Sequence, residues 1–367
     1  MKVGLTESKI PVTNLAIGVP DLKCPDEVVA VIQQAAAEFQ FSYVPSKGSR
    51  KALLNLKNLL FKNESNILPE KNLLLVNGAK YGIYLSLKTI CNDGDSVLAM
   101  QPYWLSYPEI IYSLGLKYHS CNPTIAASGT LDFDLSEIEK TVREKNITAF
   151  VLNNPNNPSG KVFELDWIVK LNSILKKYNC WLLIDEVYRE LVFNRNKPNN
   201  FSIEDENIIR IGSLSKSLSI PGLRLGYIAA SGIMIAQADL FNQHIETCVN
   251  SLSCYLMENL PEETFHTFTQ NSSAIYRSRF EAVQKILAGS KLKMLLSEAS
   301  FYVLVDFGSY FKSGGEACDF LSRELNIHAV PGLPYGNQFE QYIRICLTLP
   351  ENMLVEKFQL ILNKLDA

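Results

Sequence analysis

Residues 208–226 read IIRIGSLSKSLSIPGLRLG: a short apolar run, a loop of small hydroxyl residues around Lys216, and a second apolar stretch. Runs of four or five apolar residues between longer helical segments are typical of strands in a parallel sheet that helices cover on both faces. Similar runs occur earlier in the chain, as NLLLV at 72–76, SVLAM at 96–100, AFVL at 149–152 and WLLI at 181–184. We therefore predict an α/β fold for the middle of the chain.

The segments between these runs have the periodicity of helices. Residues 164–179, ELDWIVKLNSILKKYN, are an example, because their apolar side chains recur at steps of three and four residues. The last third of the chain changes character, with a helical segment at 277–287 followed by FYVLVDF at 301–307 and YIRICLT at 342–348. This change predicts a second, smaller α+β domain.

The predicted organisation has three parts. Residues 1–35 form an N-terminal segment that packs with the small domain, 36–250 form the large domain, and 251–367 form the small C-terminal domain. No repeat, low-complexity segment or Pro/Gly/Ser-rich linker marks these boundaries, so they depend on the secondary-structure pattern alone.

The composition is that of an ordinary globular protein, with 47% hydrophobic residues, 20% charged residues and a net charge of −3. This balance lacks the positive surplus typical of proteins that bind nucleic acid or anionic membranes. No apolar stretch approaches the ~20 residues that span a bilayer, and the N-terminus has no sustained apolar run. We expect neither a secreted nor a membrane-bound protein.

The cysteines and histidines give no sign of disulfides or metal ligation. The eight cysteines lie far apart, with no C-x-x-C pair among them, and several fall in apolar runs. We predict that they are reduced core residues and that the protein is cytoplasmic. The four histidines lack ligand spacing, so we predict no metal site.

Polar side chains follow three successive apolar runs. NNPNNPSG occupies 153–160, DEVY occupies 185–188 and SLSK occupies 213–216. Each motif alone has an ordinary explanation: a tight turn, a helix cap or ion pair at Asp185, and a surface lysine at Lys216. Because ligands bind beyond the carboxyl ends of parallel strands, however, the three motifs together predict one shared site.

Lys216 has the surroundings of a reactive amine. It stands among small hydroxyl residues and precedes an apolar stretch, which suits a loop packed inside the protein. Burial disfavours the ammonium form and leaves the neutral amine that attacks an aldehyde. Arg224, eight residues further on, offers a planar fork for a phosphate, and Ser213 and Ser215 offer hydroxyl donors.

These motifs, together with NGAKYG at 77–82, PYW at 102–104 and YIRI at 342–345, resemble those of the fold-type I, class I/II aminotransferases. The resemblance covers essentially the whole chain, with six motifs in the family's order. It implies a pyridoxal 5′-phosphate enzyme whose large domain binds the cofactor. It also implies a mostly parallel, seven-stranded type of sheet between helices in that domain.

The resemblance assigns the catalytic roles. Lys216 matches the lysine that forms a Schiff base with the cofactor and then shuttles a proton between the substrate α-carbon and the cofactor. Asp185 matches the carboxylate that pairs with the pyridinium nitrogen. Asn157 and Tyr188 match the two donors to the phenolate oxygen of the ring. Trp104 matches the aromatic residue stacked on the ring face, with Tyr103 as a rival.

The remaining matches concern the phosphate, the substrate and a second subunit. The phosphate is assigned to Gly78, Ala79, Lys80, Ser213 and Arg224, although the hydroxyl residue that relatives often carry at this helix start is absent. The substrate carboxylate is assigned to Arg344, with Asn157 and Gly18 beside it. Tyr43 matches a tyrosine that reaches the phosphate of the partner subunit, which implies a homodimer. Few residues precede Gly18, so we expect a shortened N-terminal arm.

The implied reaction is amino transfer from an L-amino acid to a 2-oxo acid by a ping-pong mechanism. The run PYWLSYPE resembles enzymes that use aspartate and glutamate, and Lys80 and Lys88 are candidates for contact with a second carboxylate. Two alternatives stay open from sequence. One is a pyridoxal phosphate-dependent C–S lyase or synthase on the same scaffold. The other is a regulator domain that binds the cofactor without catalysis.

Overall fold

The computed structural model describes residues 12–38, 40–62, 69–194 and 205–366. Its strands are β1 Thr13–Asn14, β2 Leu73–Val76, β3 Ser96–Met100, β4 Lys117–Cys121, β5 Thr124–Ile125, β6 Leu131–Asp132, β7 Ile147–Asn153, β8 Trp181–Asp185, β9 Ile208–Ser213, β10 Gly226–Ala229, β11 Lys293–Met294, β12 Tyr302–Asp306, β13 Ile327–His328, β14 Val330–Pro331 and β15 Tyr342–Cys346.

Its α-helices are α1 Asp26–Ala37, α2 Arg50–Leu60, α3 Ala79–Ile90, α4 Ser106–Ser113, α5 Leu135–Glu144, α6 Leu165–Lys177, α7 Leu214–Ser217, α8 Gly232–Ile245, α9 Ser251–Asn259, α10 Glu262–Leu287, α11 Gly314–Leu325 and α12 Glu351–Leu365. Short 3-10 helices lie at Glu70–Asn72, Arg189–Leu191, Pro221–Leu223, Leu333–Tyr335 and Asn337–Phe339.

A seven-stranded sheet forms the centre of the larger part of the molecule, in the order β2-β10-β9-β8-β7-β3-β4. All neighbouring strands are parallel except β10, which runs antiparallel to both β2 and β9. The five apolar runs all form strands of this sheet. The predicted α/β class and mostly parallel sheet are therefore confirmed.

Burial on both faces explains why the sequences of these strands are mostly apolar. In β3, Val97 and Ala99 join a core with helices α3, α4 and α8. Leu98 and Met100, which point to the opposite face, join a core with α5 and α6. Because alternate residues of a strand face opposite sides, a sheet covered by helices on both sides favours apolar residues at most positions. Arg210 of β9 is an exception, and its buried charge is paired with Glu186.

A second sheet of four antiparallel strands, in the order β11-β12-β15-β14, organises the last third of the chain. Its core includes side chains from α10, α11 and α12. Helix α10 begins at Glu262, well before the helical segment predicted at 277–287. The N-terminal strand β1 pairs with β13, which attaches the start of the described chain to this part.

We propose that these two sheets mark two domains. The predicted boundaries at residues 35 and 250 stay a prediction, and residues 1–11 of the N-terminal part lie outside the described residues. Helices α1 and α9 contribute Val28, Cys254 and Leu256 to a core shared with the large sheet. This packing favours placing both helices with the large domain. None of the helices in the described ranges combines the length and hydrophobicity needed to cross a bilayer.

Candidate active site

A cavity of about 470 Å³ lies beyond the carboxyl ends of β7, β8 and β9, where it also meets residues of β12 and β15. The predicted site residues on its wall are Gly18, Ala79, Lys80, Trp104, Asn157, Asp185, Tyr188, Ser213, Lys216, Arg224 and Arg344. The tertiary structure therefore brings together motifs from the whole length of the chain.

Lys216 lies in α7, the short helix that follows β9. Ser213 caps the N-terminus of this helix, because its side-chain oxygen accepts a hydrogen bond from Ser215 N. Lys216 Nζ donates to the backbone oxygen of Gly18 at 2.7 Å and lies 5.9 Å from the centre of the Phe301 ring. Burial lowers the pKa of Lys216 to about 8, so the amine is largely neutral in mildly alkaline solution.

Asp185 is the last residue of β8 and lines the cavity. Tyr107 donates its hydroxyl to Oδ2 at 2.6 Å, and the backbone N of Val187 donates to Oδ1 at 3.2 Å. Burial raises the pKa of this carboxyl to about 6, although the two hydrogen bonds favour the charged form and act to lower the pKa. Tyr107 was not predicted as a site residue. Helix α4 also carries Tyr112, and only the tertiary structure shows that Tyr107 is the buried one.

Asn157 and Tyr188 belong to a chain of buried polar groups. Asn157 Nδ2 donates to the Tyr188 hydroxyl at 3.3 Å, which in turn donates to the Tyr302 hydroxyl at 3.1 Å. Asn153 Oδ1 accepts from the backbone N of Asn157 at 2.6 Å and thereby fixes the turn. Within the described residues, Asn157 Oδ1 is buried without a hydrogen-bond partner, as expected of a group whose partner is a bound molecule.

The start of α3 and the Arg224 side chain form a cradle suited to an anion. Gly78 precedes the helix with a φ of +89°, and no side chain caps the helix there. A Cβ atom at Gly78 would lie 2.3 Å from Arg224 Nη2, so the guanidinium packs directly over this glycine. Uncapped backbone N–H groups beside a guanidinium favour a phosphate. Ser213 Oγ points elsewhere here, because it donates to Leu225 O at 2.8 Å.

Trp104 and Tyr103 have different surroundings. Trp104 lines the cavity, and Lys80 Nζ lies 4.9 Å from the centre of its ring. Tyr103 packs edge-on against Tyr118, with ring centres 5.3 Å apart, and does not line the cavity. The geometry favours Trp104 over Tyr103 for stacking on a bound ring.

Arg344 lies on β15, where its guanidinium carbon is 4.7 Å from the centre of the Tyr302 ring and 5.5 Å from that of Tyr335. Arg344 Nη2 donates to the backbone oxygen of Ala16. In the described part of the chain, Nε of this buried arginine has no hydrogen-bond partner. Because Arg344 also lines the cavity, its planar guanidinium is in a position to bind a carboxylate.

Some predicted residues lie outside this cavity, and some cavity residues were not predicted. Tyr43 is 86% exposed and does not line the cavity, and neither does Lys88. The cavity also includes Ser215, which the sequence indicated as a hydroxyl donor, and the unpredicted wall residues are Ile83, Asn153, Val187, Pro221 and Tyr302. Tyr302 belongs to an apolar strand run that the sequence indicates only as core. Across the described ranges, no three His, Cys, Asp or Glu side chains are grouped to hold a metal ion.

Comparison with known proteins shows extensive similarity. The family model for aminotransferase class I and II matches residues 10–358. A probable aspartate/prephenate aminotransferase from Aquifex aeolicus is 27% identical over 97% of this chain and 92% of its own length. An aspartate aminotransferase from Sulfolobus acidocaldarius is 26% identical over 96% of this chain and 90% of its own.

Solved structures show the same fold. A Thermus thermophilus aspartate aminotransferase double mutant superimposes with a TM-score of 0.87 at 21% identity, covering 95% of this chain and 91% of that one. An aromatic aminotransferase from Pyrococcus horikoshii OT3 gives a TM-score of 0.89 at 22% identity, covering 97% and 96%. Because the family model matches nearly the whole chain, the protein is a member of the class I and II aminotransferases, the transaminases that use pyridoxal 5′-phosphate.

Proposed function

We propose that this transaminase acts on amino acids that carry a second, side-chain carboxylate, such as aspartate or glutamate. The observation that carries the proposal is Lys80, a cation on the cavity wall in addition to Arg344, Arg224 and Lys216. The relatives named aspartate aminotransferase and aspartate/prephenate aminotransferase support this substrate class.

The residues of the cavity fit the cofactor. The cradle of Gly78, Ala79 and Arg224 would hold its phosphate, and the buried carboxyl of Asp185 would face its ring nitrogen. Asn157 Nδ2 and the Tyr188 hydroxyl, which here donate to Tyr188 and Tyr302, would turn to donate to its ring oxygen, and Trp104 would cover a ring face. When bound, the cofactor supplies an electron sink for the negative charge that develops at the substrate α-carbon.

Lys216 is the residue we assign to proton transfer. Lys216 lines the same cavity as Arg344, and its Nζ donates to the Gly18 carbonyl on the cavity wall. A base with a pKa of about 8 accepts and returns a proton efficiently near neutral pH. Lys216 therefore carries the cofactor and, once released from it, moves the substrate proton through Nζ.

Arg344 is the residue we assign to the α-carboxylate. Its guanidinium is held between Tyr302 and Tyr335, and its Nε is unpaired in the described structure. A rigid planar fork binds a carboxylate with two hydrogen bonds and orients the α-carbon for proton removal. Amino donor and oxo acceptor both carry this carboxylate, so one arginine serves both half-reactions.

Lys80→Met is expected to raise KM for aspartate and glutamate about tenfold or more, because a charge-assisted hydrogen bond to the side-chain carboxylate is lost. KM for alanine should stay within about twofold of the wild-type value. The measurement is a half-reaction titration of each amino acid, which follows stoichiometric conversion of the bound cofactor to its amine form.

Lys88→Met is the matched control for this substitution. Lys88 is an exposed lysine on the same helix that does not line the cavity, so its loss should change none of these constants. If Lys80→Met weakened alanine and aspartate equally, Lys80 would serve the cofactor and not the substrate side chain.

The rate at which the cofactor-free protein takes up pyridoxal 5′-phosphate is expected to increase with pH, with the midpoint of the increase at a pH of about 8. Burial lowers the pKa of Lys216 from 10.5 to about 8, and the reactive neutral amine forms above that value. The rate should rise about tenfold per pH unit below the midpoint and level above it. Stopped-flow absorbance measures the rate, with N-acetyl-lysine as the reference amine. A midpoint near that of the reference would contradict the assignment.

Exposed apolar side chains and unpaired cysteines bear on the oligomeric state and the cellular compartment. Tyr43 is highly exposed, and α8 exposes the apolar side chains of Ile233, Leu240, Phe241 and Ile245. Both features support a homodimer in which Tyr43 serves the neighbouring site, since large exposed apolar surfaces mark interfaces. All eight cysteines are unpaired, which supports a reducing, cytoplasmic compartment.

A further inference from the structure

A segment near the N-terminus crosses the active-site cavity and contacts two of its cations. We call residues 15–21 the N-terminal strap. The Gly18 carbonyl accepts a hydrogen bond from Lys216 Nζ at 2.7 Å, and the Ala16 carbonyl accepts one from Arg344 Nη2. A Cβ atom at Gly18 would lie 1.9 Å from the Tyr302 hydroxyl oxygen, so the strap lies tightly against the cavity wall. The position of the strap therefore affects access to both cations.

The first end of the strap is fixed by backbone hydrogen bonds to the small sheet. Leu15 N donates to His328 O at 2.8 Å, and Cys346 N donates to Leu15 O at 2.8 Å. The preceding residues pair with β13. Beyond Leu15, Ile17 and Val19 expose about half of their side-chain surface. The side chains of Ile17 and Val19 therefore add little packing, although Gly18 and the buried Pro20 contact the protein.

The second end of the strap is fixed by a salt bridge of unusually good geometry. Asp21 Oδ1 and Oδ2 accept from Arg279 Nη1 and Nη2, both at 2.8 Å. Arg279 Nη1 also donates to Leu347 O at 2.8 Å, and Tyr276 donates its hydroxyl to Asp21 Oδ1 at 3.2 Å. The side chains of Arg279 and Asp21 are only 6% and 23% exposed.

Burial and a bidentate geometry separate this pair from the surface pairs of the same helix. Arg277 and Glu281, also on α10, are both 55% exposed and joined through a single short contact. Exposed pairs of that kind contribute little, whereas a mostly buried bidentate pair fixes the groups that form it. Asp21 is thereby tied both to α10 and, through Arg279, to the end of β15, the strand that carries Arg344.

We propose that Asp21 and Arg279 are positioning residues that latch the N-terminal strap over Lys216 and Arg344 and thereby set the affinity for substrate. With the latch intact, the strap is held at both ends and moves with the strand that carries Arg344. With the latch broken, the strap keeps its hydrogen bonds at Leu15, Ala16 and Gly18 but loses the ion pair that holds its second end. If the population of the binding-competent arrangement falls by some factor, the apparent dissociation constant of the ligand rises by that factor. The inference relies on the proposed role of Arg344 at the α-carboxylate.

Asp21→Asn and Arg279→Gln are expected to raise KM for every amino acid about tenfold while kcat stays within about twofold. The dissociation constant of maleate, a non-reactive dicarboxylate, should rise by a similar factor when measured by calorimetry. Cofactor content and visible absorbance should not change, because neither residue touches the cofactor site. Arg277→Gln, which removes an exposed arginine from the same helix, is the matched control and should leave all these values unchanged.

The double variant and Arg344→Ala distinguish a failure of the latch proposal from a failure of the proposed carboxylate role. If the two residues act as one latch, Asp21→Asn combined with Arg279→Gln should raise KM no more than either single change. A lower melting temperature with an unchanged KM and maleate affinity would overturn the latch and leave a structural ion pair. Asp21→Asn, a partly exposed isosteric change, keeps the test available if Arg279→Gln does not fold. If Arg344→Ala leaves KM unchanged, the proposed carboxylate role of Arg344 is wrong. If Arg344→Ala raises KM but the Asp21 and Arg279 variants leave it unchanged, only the latch proposal is wrong.

Discussion

Lys216→Ala is expected to remove the visible absorbance of the lysine-bound cofactor and to lower kcat by at least about 10³-fold. Two functions disappear with the same side chain. The amine that attaches the cofactor is lost, and so is the base that moves the substrate proton. The cradle formed by Gly78 and Arg224 stays intact, so the variant should still bind the cofactor, non-covalently.

Borohydride reduction followed by peptide mass spectrometry measures this outcome directly. The wild-type protein should carry the reduced adduct on Lys216, and the variant should carry none. Lys88→Ala is the control, because this exposed lysine lies outside the cavity and its loss should leave absorbance and kcat unchanged. An unaltered, reducible lysine adduct in Lys216→Ala would refute the assignment.

Arg344→Ala is expected to raise KM about 100-fold or more for every amino acid, which corresponds to about 3 kcal/mol of lost binding free energy. The substrate α-carboxylate would then enter a buried site without its charged partner. Arg344→Lys should recover only part of the loss, because an ammonium cannot reproduce the planar fork held between Tyr302 and Tyr335. Steady-state kinetics over several amino acids gives the values.

The spectrum separates this variant from Lys216→Ala. Arg344 is assigned to the substrate and not to the cofactor, so Arg344→Ala should keep the visible absorbance of the wild-type protein. Arg323→Ala, which removes an exposed arginine on α11, is the control for a change in net charge. A KM close to the wild-type value in Arg344→Ala would show that another group binds the carboxylate.

The strands of the large sheet were predictable to the extent that they are buried on both faces. The runs that form β2, β3, β7, β8 and β9 are mostly apolar because helices cover both sides of the sheet, and the buried Arg210 of β9 is paired with Glu186. Strand β4, with the sequence KYHSC, is at the edge of the sheet and largely escapes burial, so it has no such run. Strand β10 is only four residues long and begins with glycine, so only three consecutive residues of the strand are apolar.

The first half of α10 escaped prediction for a different reason. Its buried face includes Thr269, Ser272 and Ser273, where an isolated amphipathic helix would carry aliphatic residues. Ser273 donates its hydroxyl to Val192 O at 2.6 Å, so packing against another segment satisfies the polar group. Periodicity of apolar residues cannot detect a helix face of this kind.

The sequence by itself determined the α/β class and the three motifs that end β7, β8 and β9, because strand order along the chain places their last residues at one edge of the sheet. It also predicted Lys216, Asp185 and Arg344 as site residues, because a charge in apolar surroundings is costly unless it has a partner. Only the tertiary structure placed Tyr107 beside Asp185 and Tyr302 beside Tyr188, since these two of the 16 tyrosines occupy positions that the sequence indicates as ordinary core. It alone paired Asp21 with Arg279, 258 residues apart, because a contact between distant segments leaves no local pattern.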